Sequence, residues 1–405
     1  MIEITLVRHG ETVANAAGIW QGHGDAGLSE EGFLQASALA DRLAGERFDR
    51  VVCSDLRRAR QTTGVLGLSA EPDPAWREVD IGAWEGLARD EVHRRFPDEI
   101  AALAAGEDVA LGGGESWGRF GARIDAAFER LVAGMDDGER ALVVCHGGAI
   151  HSIVSGHLGF RSRPRPWPID HLENTSMTVL RDGVHGRTLH SFNDATHLRE
   201  APEPGAGTVF GLVRHGETTA NLEGRWAGST DAPLTDRGIA QAESLASRYD
   251  GAAAVYSSPL ARARLTAARL ADAHGLEVAV RPDLAELHFG RWENLTSDEV
   301  IARYPDEWNR VYVDGHDLAR GGDGETAAGA AARLAGALEE LARRHPGERV
   351  AVVAHGGLIR SYVGSLTGIG HRGRHRLALP GNASVSHVRL HDGAAVLADY
   401  NVLAG

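Results

Sequence analysis

The chain is written twice. "VRHGET" stands at Val7–Thr12 and again at Val213–Thr218, and the match extends far beyond those six residues. Arg8 to Gln35 maps onto Arg214 to Gln241 at an offset of 206, which becomes 204 at Arg58/Arg262, 208 at Glu78/Glu286, 209 at His146/His355 and 208 at Asn174/Asn382. Small drifts of this kind arise from loop insertions between elements kept in one order. A repeat near 200 residues is far longer than a solenoid unit of about 20–50 residues, so each copy must be a whole domain with its own core. Pro202, Pro204, Gly205 and Gly207 interrupt every periodicity between the copies. The expected domains are therefore 1–198 and 208–405, joined by a linker at 199–207.

Within each half, strand-like and helix-like patterns alternate. "EITLV" and "VFGLV" are short β runs. "LSEEGFLQASALADRL" and "LTDRGIAQAESLASRY" read as helices, with Ser29 and Thr235 placed to cap them and acids in the first turn. "RVVCS" and "AAVYSS" read as strands running into arginine-rich helices, and "ALVVC" and "VAVVA" as buried strands that feed His-Gly-Gly. The expected fold is α/β: two tandem three-layer α/β/α domains, each a mostly parallel sheet with helices on both faces. Ligands bind such sheets beyond the carboxyl ends of the strands, where Arg-His-Gly and His-Gly-Gly both fall.

Composition removes several chemistries. All 42 basic residues counted as Lys+Arg are arginine, so a P-loop lysine, a kinase strand lysine and a lysine Schiff base are excluded. A net charge of −14 argues against a general nucleic-acid or membrane-surface binder. Two cysteines, Cys53 and Cys145, each follow an apolar run and read as buried free thiols. The chain enters a strand-like run at once and has no apolar stretch of about 18 residues, so a cytoplasmic location is expected.

Four repeated elements carry chemistry. Arg8 and Arg214 offer planar donors suited to phosphate, beside His9 and His215, the side chains best able to act as nucleophile or base near neutral pH. The glycine after each histidine is expected to let a ligand approach the main chain. Asn15 and Asn221 follow at equal distance. Arg58 and Arg262 lie one turn into a helix that starts at a strand end, where an anion meets both a charge and a helix dipole; Arg60 and Arg264 read as solvent-facing. Glu78 and Glu286 keep a fixed distance from Trp84 and Trp292, which read as packing residues. Glu85 and Glu293 are shared too, so spacing alone does not decide which glutamate is chemical. His146-Gly147-Gly148 and His355-Gly356-Gly357 supply a second histidine at a helix start. His23, His185 and His197 lack ligand spacing and read as surface residues.

These elements in this order resemble the histidine phosphatase superfamily, with its phosphoglycerate-mutase-like fold. "GHGDAGLSEEG" and "GSTDAPLTDRG", "GES" and "GET", and "NTSMTVL" and "NASVSHV" extend the resemblance over both halves. It implies that His9 and His215 are nucleophiles forming a phosphohistidine, and that Glu78 and Glu286 are the general acid/base. It further implies that Arg8, Arg58, His146 and Asn15 hold the phosphoryl group in the first half, and Arg214, Arg262, His355 and Asn221 in the second. No metal or organic cofactor is implied. The expected function is a metal-independent phosphomonoesterase acting on a small phosphorylated metabolite at two sites. A phosphoglycerate-type mutase, or one catalytic half beside a binding or scaffold half, are the alternatives. Neither a nucleic-acid nor a membrane partner is expected, and the fusion would make a monomer resembling a fused dimer.

The copies also differ. Gln21 becomes Ala227, Gly86 becomes Asn294 and Trp117 becomes Ala327, while Trp308, Tyr312 and His316 appear in the region 295–325, so different leaving-group pockets are expected. Two basic clusters, "FRSRPRPW" and "HRGRHR", read as solvated loops, with attraction of an anionic substrate as the other reading.

Overall fold

The computed structural model describes residues 1–161, 167–198, 205 and 207–403. The chain divides into two compact units, one comprising Met1–Trp167 and His171–Leu198, the other Pro168–Asp170 and Arg199–Gly405. Most of the expected linker 199–207 and the centre of "FRSRPRPW" lie outside the described residues.

The first domain is built on a sheet of β1 (Ile2–Arg8), β2 (Arg50–Cys53), β3 (Glu71–Pro72), β4 (Arg140–Cys145), β5 (Met177–Gly183) and β6 (Gly186–Asp194), in the order β3-β2-β4-β1-β5-β6. The second contains β7 (Thr208–Arg214), β8 (Ala254–Ser257), β9 (Val278–Val280), β10 (Arg349–Ala354), β11 (Ser384–His391) and β12 (Ala394–Leu397), in the order β12-β11-β7-β10-β8-β9, with β13 (Val402–Leu403) paired to β11. Helices flank each sheet, giving two α/β/α domains. Strands β1 to β4 pair in parallel, as do β7 to β10. The strands that follow the closing "NTS" and "NAS" motifs run antiparallel to them. Each sheet is thus parallel around its site and antiparallel on one side, an edge that the alternating pattern alone did not reveal.

β4 and β10 read as unbroken apolar runs because both of their faces are covered. On one face of the first sheet, Val7, Cys53, Leu142 and Val144 pack with Leu39 and Ala59 from helices Glu30–Arg42 and Arg57–Val65. Helix Gly147–Leu158 packs against β1 and against helix Trp117–Ala133. The side chains of Ser29 and Thr235 accept from the N–H of Gly32 and Gly238, capping helices Glu30–Arg42 and Asp236–Arg248. Cys53 and Cys145 are buried free thiols. Among the described residues, no helix is long and apolar enough to cross a membrane.

Gly10 has a physical reason different from ligand approach. A Cβ there would lie 2.5 Å from the Gly32 carbonyl oxygen, and one on Gly32 would lie 2.0 Å from that of Glu11. Gly216 and Gly238 repeat the contact at 2.3 and 2.0 Å. The glycine pair lets the histidine loop lie directly on the start of the capped helix. Glu11 completes that joint: its carboxylate accepts from Ser29 at 2.6 Å, and its N–H donates to Gln35 at 2.9 Å.

Candidate active site

Register brings the two histidines together. Arg8 pairs with Cys145 across β1 and β4, so His9 and His146 leave the sheet side by side. Arg214 pairs with Ala354, which does the same for His215 and His355. The ring centroids are 5.2 Å apart in the first domain and 5.1 Å in the second, both edge-on. β2 and β8 flank β4 and β10 and deliver Arg58 and Arg262 to the same edge.

The His9 imidazole sits in a defined tautomer. Its Nδ1 lies 2.7 Å from the Gly10 carbonyl, which can only accept, so the proton is on Nδ1. Nε2 then carries the lone pair and accepts from Arg58 Nε at 3.2 Å. His215 repeats the bond to Gly216 at 2.7 Å. Burial holds both imidazoles well below their usual proton affinity, reinforced by Arg58 and Arg8 at His9 and by Arg214 and Arg262 at His215. A neutral ring is the nucleophilic one, since an imidazolium has no free pair.

The second histidines are held differently. His146 Nε2 and His355 Nε2 lie 2.8 and 2.7 Å from the hydroxyls of Ser54 and Ser258. In the first domain His146 Nδ1 accepts from Arg58 Nε at 3.2 Å, so its proton is on Nε2 and goes to Ser54; in the second, a hydroxyl donates or accepts, so Ser258 tolerates a proton on His355 Nδ1. In the second domain the buried His355 Nδ1 and Arg214 Nε have no hydrogen-bond partner among the described residues. Unmet donors beside a buried cation suit an oxyanion.

Arg58 and Arg262 are each 1% exposed. Arg58 donates through its terminal nitrogens to the Gly24 and Gly22 carbonyls, both at 2.8 Å, and Arg262 donates to Thr230, Ala227 and Gly228 at 2.8–2.9 Å. The "GHGD" and "GSTD" loops therefore fix these guanidiniums. Burial draws Arg58 and Arg214 down to about 10, so both remain cationic at neutral pH. Arg8 donates to the Leu172 carbonyl and Arg214 to that of Pro380. Arg60 and Arg264 are exposed, as read from the sequence.

Glu78 reaches the site from the loop after β3. Its carboxylate accepts from the N–H of Val79 at 3.0 Å and of Gly148 at 2.9 Å. Glu286 accepts from Leu287, Gly357 and Leu358 at 2.8–3.0 Å. A Cβ on Gly148 would lie 2.2 Å from Glu78 Oε1, and one on Gly357 2.8 Å from Glu286 Oε1. The second glycine of His-Gly-Gly therefore makes room for the carboxylate. Glu85 and Glu293 instead accept from loop N–H groups, including Gly22 and Gly228 at 2.9 and 3.1 Å. That separates the two glutamates that spacing left equivalent.

Asn15 and Asn221 cap short helices through their side-chain oxygens. Asn221 also accepts from Asn382 at 3.0 Å and lines the cavity of the second domain. Several supporting residues had no assigned role in the sequence. Asn174 and Asn382 donate to the carbonyls of His9 and His215 at 2.9 and 3.1 Å. Thr62 and Thr266 accept from Gly10 and Gly216. Arg123, paired with Glu115 of "GES" at 2.6 Å, donates to the Glu78 carbonyl at 3.0 Å. Recurrence at equal offsets in both halves was the available signal for the Asn and Glu115 positions.

Two histidines depart from the surface reading. His23 is partly buried, with Nε2 3.0 Å from the Glu78 carbonyl, and His197 contacts Thr175 at 2.9 Å, where burial takes it down to about 4. His185 is exposed. The Gly86/Asn294 difference is conformational, because both adopt positive φ, 79° and 61°, and Asn tolerates that region best after Gly. Trp84 and Trp292 are buried as packing residues.

The family model described as the histidine phosphatase superfamily, branch 1, matches residues 4–195 and again 210–403. The chain belongs to the histidine phosphatase superfamily. It is 36% identical over 208 residues to phosphoglycerate mutase-like protein 4 of Arabidopsis thaliana, covering 49% of this chain and 87% of that protein. It is 38% identical over 189 residues to a metal-independent phosphoserine phosphatase of the same plant, covering 46% of this chain and 77% of that one. A solved mycobacterial glucosyl-3-phosphoglycerate phosphatase is 28% identical with a TM-score of 0.44, over 48% of this chain and 99% of its own. The family and the curated relatives make this chain an enzyme of the phosphatase class.

Proposed function

We propose that the chain is a metal-independent phosphomonoesterase with two active sites, each hydrolysing a small phosphorylated metabolite through a phosphohistidine. The observation that carries this reading is the tautomer: each domain presents a buried neutral imidazole whose Nδ1–H is tied to a carbonyl, with His9 Nε2 against Arg58 and the His215 ring lining a cavity with Arg214 and Arg262.

In the first half-reaction, His9 Nε2 attacks phosphorus and the bond to the leaving oxygen breaks. Glu78 gives its proton to that oxygen, and the Nδ1–H bond to Gly10 stabilises the positive charge developing on the ring. Arg8, Arg58 and His146 face the negative charge spread over the equatorial oxygens. In the second half-reaction, water attacks phosphorus, Glu78 takes its proton and the N–P electron pair returns to Nε2. His215, Glu286, Arg214, Arg262 and His355 would carry the same steps in the second domain, with Asn15 and Asn221 at the rims. Small phosphorylated acids are the first substrates to try, because the names of two curated relatives carry phosphoglycerate and phosphoserine.

The test is phosphate release by the intact chain, His9→Ala, His215→Ala and the double variant across such esters. Each single variant should keep part of the turnover and the double variant none. Isomerised ester without phosphate would make the chain a mutase. If His215→Ala left all turnover unchanged on every substrate, the second domain would be a scaffold or binding unit.

A further inference from the structure

The second domain holds a cavity of about 530 Å³ in front of His215, and its far wall is strongly cationic. Part of that wall comes from "HRGRHR", which had read as a solvated loop. His371 is 9% exposed, with Nδ1 2.9 Å from Arg320 and Nε2 3.0 Å from the Val311 carbonyl. Arg374 stacks over Tyr312 with its guanidinium carbon 4.4 Å from the ring centroid, and donates to the Tyr312 and His371 carbonyls. Arg320 is held by Asp317 at 2.8 Å. Each of these groups is occupied, which makes the wall rigid.

Arg360 is the exception. It lies on helix Gly356–Leu366, immediately after the His-Gly-Gly start, and lines the cavity. It makes no hydrogen bond or ion pair among the described residues. The acidic residue in the cavity lining is Glu286, already engaged by three backbone N–H groups. Arg360 also acts on Arg214, Tyr312, Arg374 and Tyr400: burial is the main influence on each, and the Arg360 charge adds to it at Arg214 and Arg374 and opposes it at Tyr312 and Tyr400. It therefore stands between the phosphoryl clamp and the cationic wall. A partly buried guanidinium with five donors, no partner and cationic neighbours is poorly satisfied until an anion arrives.

The first domain differs at the aligned position. His151 stands there, stacked on Trp167 at 4.3 Å, and Trp117 packs edge-on to Trp167 at 6.1 Å. In the second domain Ala327 replaces that tryptophan and lines the open cavity. Aromatic bulk has been exchanged for space and charge.

We infer that Arg360 is a specificity-determining residue of the second domain, binding a second anionic group, carboxylate or phosphate, on the leaving-group side of a phosphomonoester. This rests on the reading of the second domain as a phosphomonoester site. The test uses the full chain carrying His9→Ala, so that turnover comes from the second domain. kcat/KM is measured for 3-phosphoglycerate and for glycerol 3-phosphate, which differ by the carboxylate, and for fructose 1,6-bisphosphate against fructose 6-phosphate, which differ by a phosphate. The member with the additional anion should be preferred in at least one pair, and the pair identifies which anion is read. Arg360→Met should shrink that preference at least tenfold, the scale of one lost charge-assisted hydrogen bond, and Arg360→Lys should restore part of it. A ratio unchanged within twofold by Arg360→Met overturns the inference, whatever happens to absolute rates. If His9→Ala turns over none of the four esters, the two-site reading fails instead. The same preference is then read from calorimetric Kd ratios, because any change caused by Arg360→Met arises in the second domain.

Discussion

Gly148→Ala tests the proposed acid with one methyl group. The new Cβ would lie 2.2 Å from Glu78 Oε1, where ordinary contact begins at 3.4 Å. The Gly148 backbone is fixed as the first turn of helix Gly147–Leu158, so the carboxylate must retreat by about 1 Å, enough to cost about 100-fold in a positioned reaction. The retreat also strains its hydrogen bonds to Val79 and Gly148. In a His215→Ala background, kcat/KM for an alkyl phosphate should fall about 100-fold, within the ~10²–10⁴ typical of general acid catalysis. For p-nitrophenyl phosphate it should fall about tenfold or less, because nitrophenolate leaves without a proton and kcat/KM reports only the step up to phosphoryl transfer. The second half-reaction still needs Glu78 as base, so the phosphoenzyme should accumulate and a burst of nitrophenol appear. Equal losses on both substrates, or none on either, would refute Glu78 as the proton donor.

Two further outcomes follow from the packing around the site. The buried site histidines titrate well below the unfolded value near 6.5, so unfolding takes up protons below that pH. Their contribution to stability is complete above about 6.5 and is lost as the pH falls, by up to about 1.4 kcal/mol per pH unit for each histidine; urea midpoints measured between pH 7.5 and 5 should show it, and His9→Gln should flatten the dependence in the first domain. Gly32→Ala places a Cβ 2.0 Å from the Glu11 carbonyl, a backbone atom with no room to yield, and should destabilise the first domain by about 3 kcal/mol or more with a matching drop in Tm; an unchanged Tm would contradict the glycine joint.

The strand–helix alternation and the strand-end position of Arg-His-Gly and His-Gly-Gly were legible because each lies in one continuous stretch. Register then brings His9 and His146 together, a consequence of the parallel pairing of β1 with β4. The antiparallel β5 and β6 were not legible, since the closing motif carries no period that distinguishes its direction. Spacing did not separate Glu78 from Glu85, and only the family resemblance chose between them; their difference depends on whether N–H groups of the second histidine's helix or of the Gly22 loop face the carboxylate. Ser54 and Asn174 act through contacts with residues 92 and 165 positions away, beyond the reach of any local pattern. The "HRGRHR" cluster misled because composition registers charge but not the Tyr312 ring and carbonyls that hold it against the cavity.

Rapid-quench turnover of a 32P-labelled substrate, followed by peptide mapping under alkaline conditions, addresses the phosphoenzyme directly. Acid-labile, alkali-stable label should appear on the peptides containing His9 and His215, and each should vanish with its own His→Ala substitution. Label that never reaches either imidazole while phosphate is still released would contradict nucleophilic catalysis by these residues.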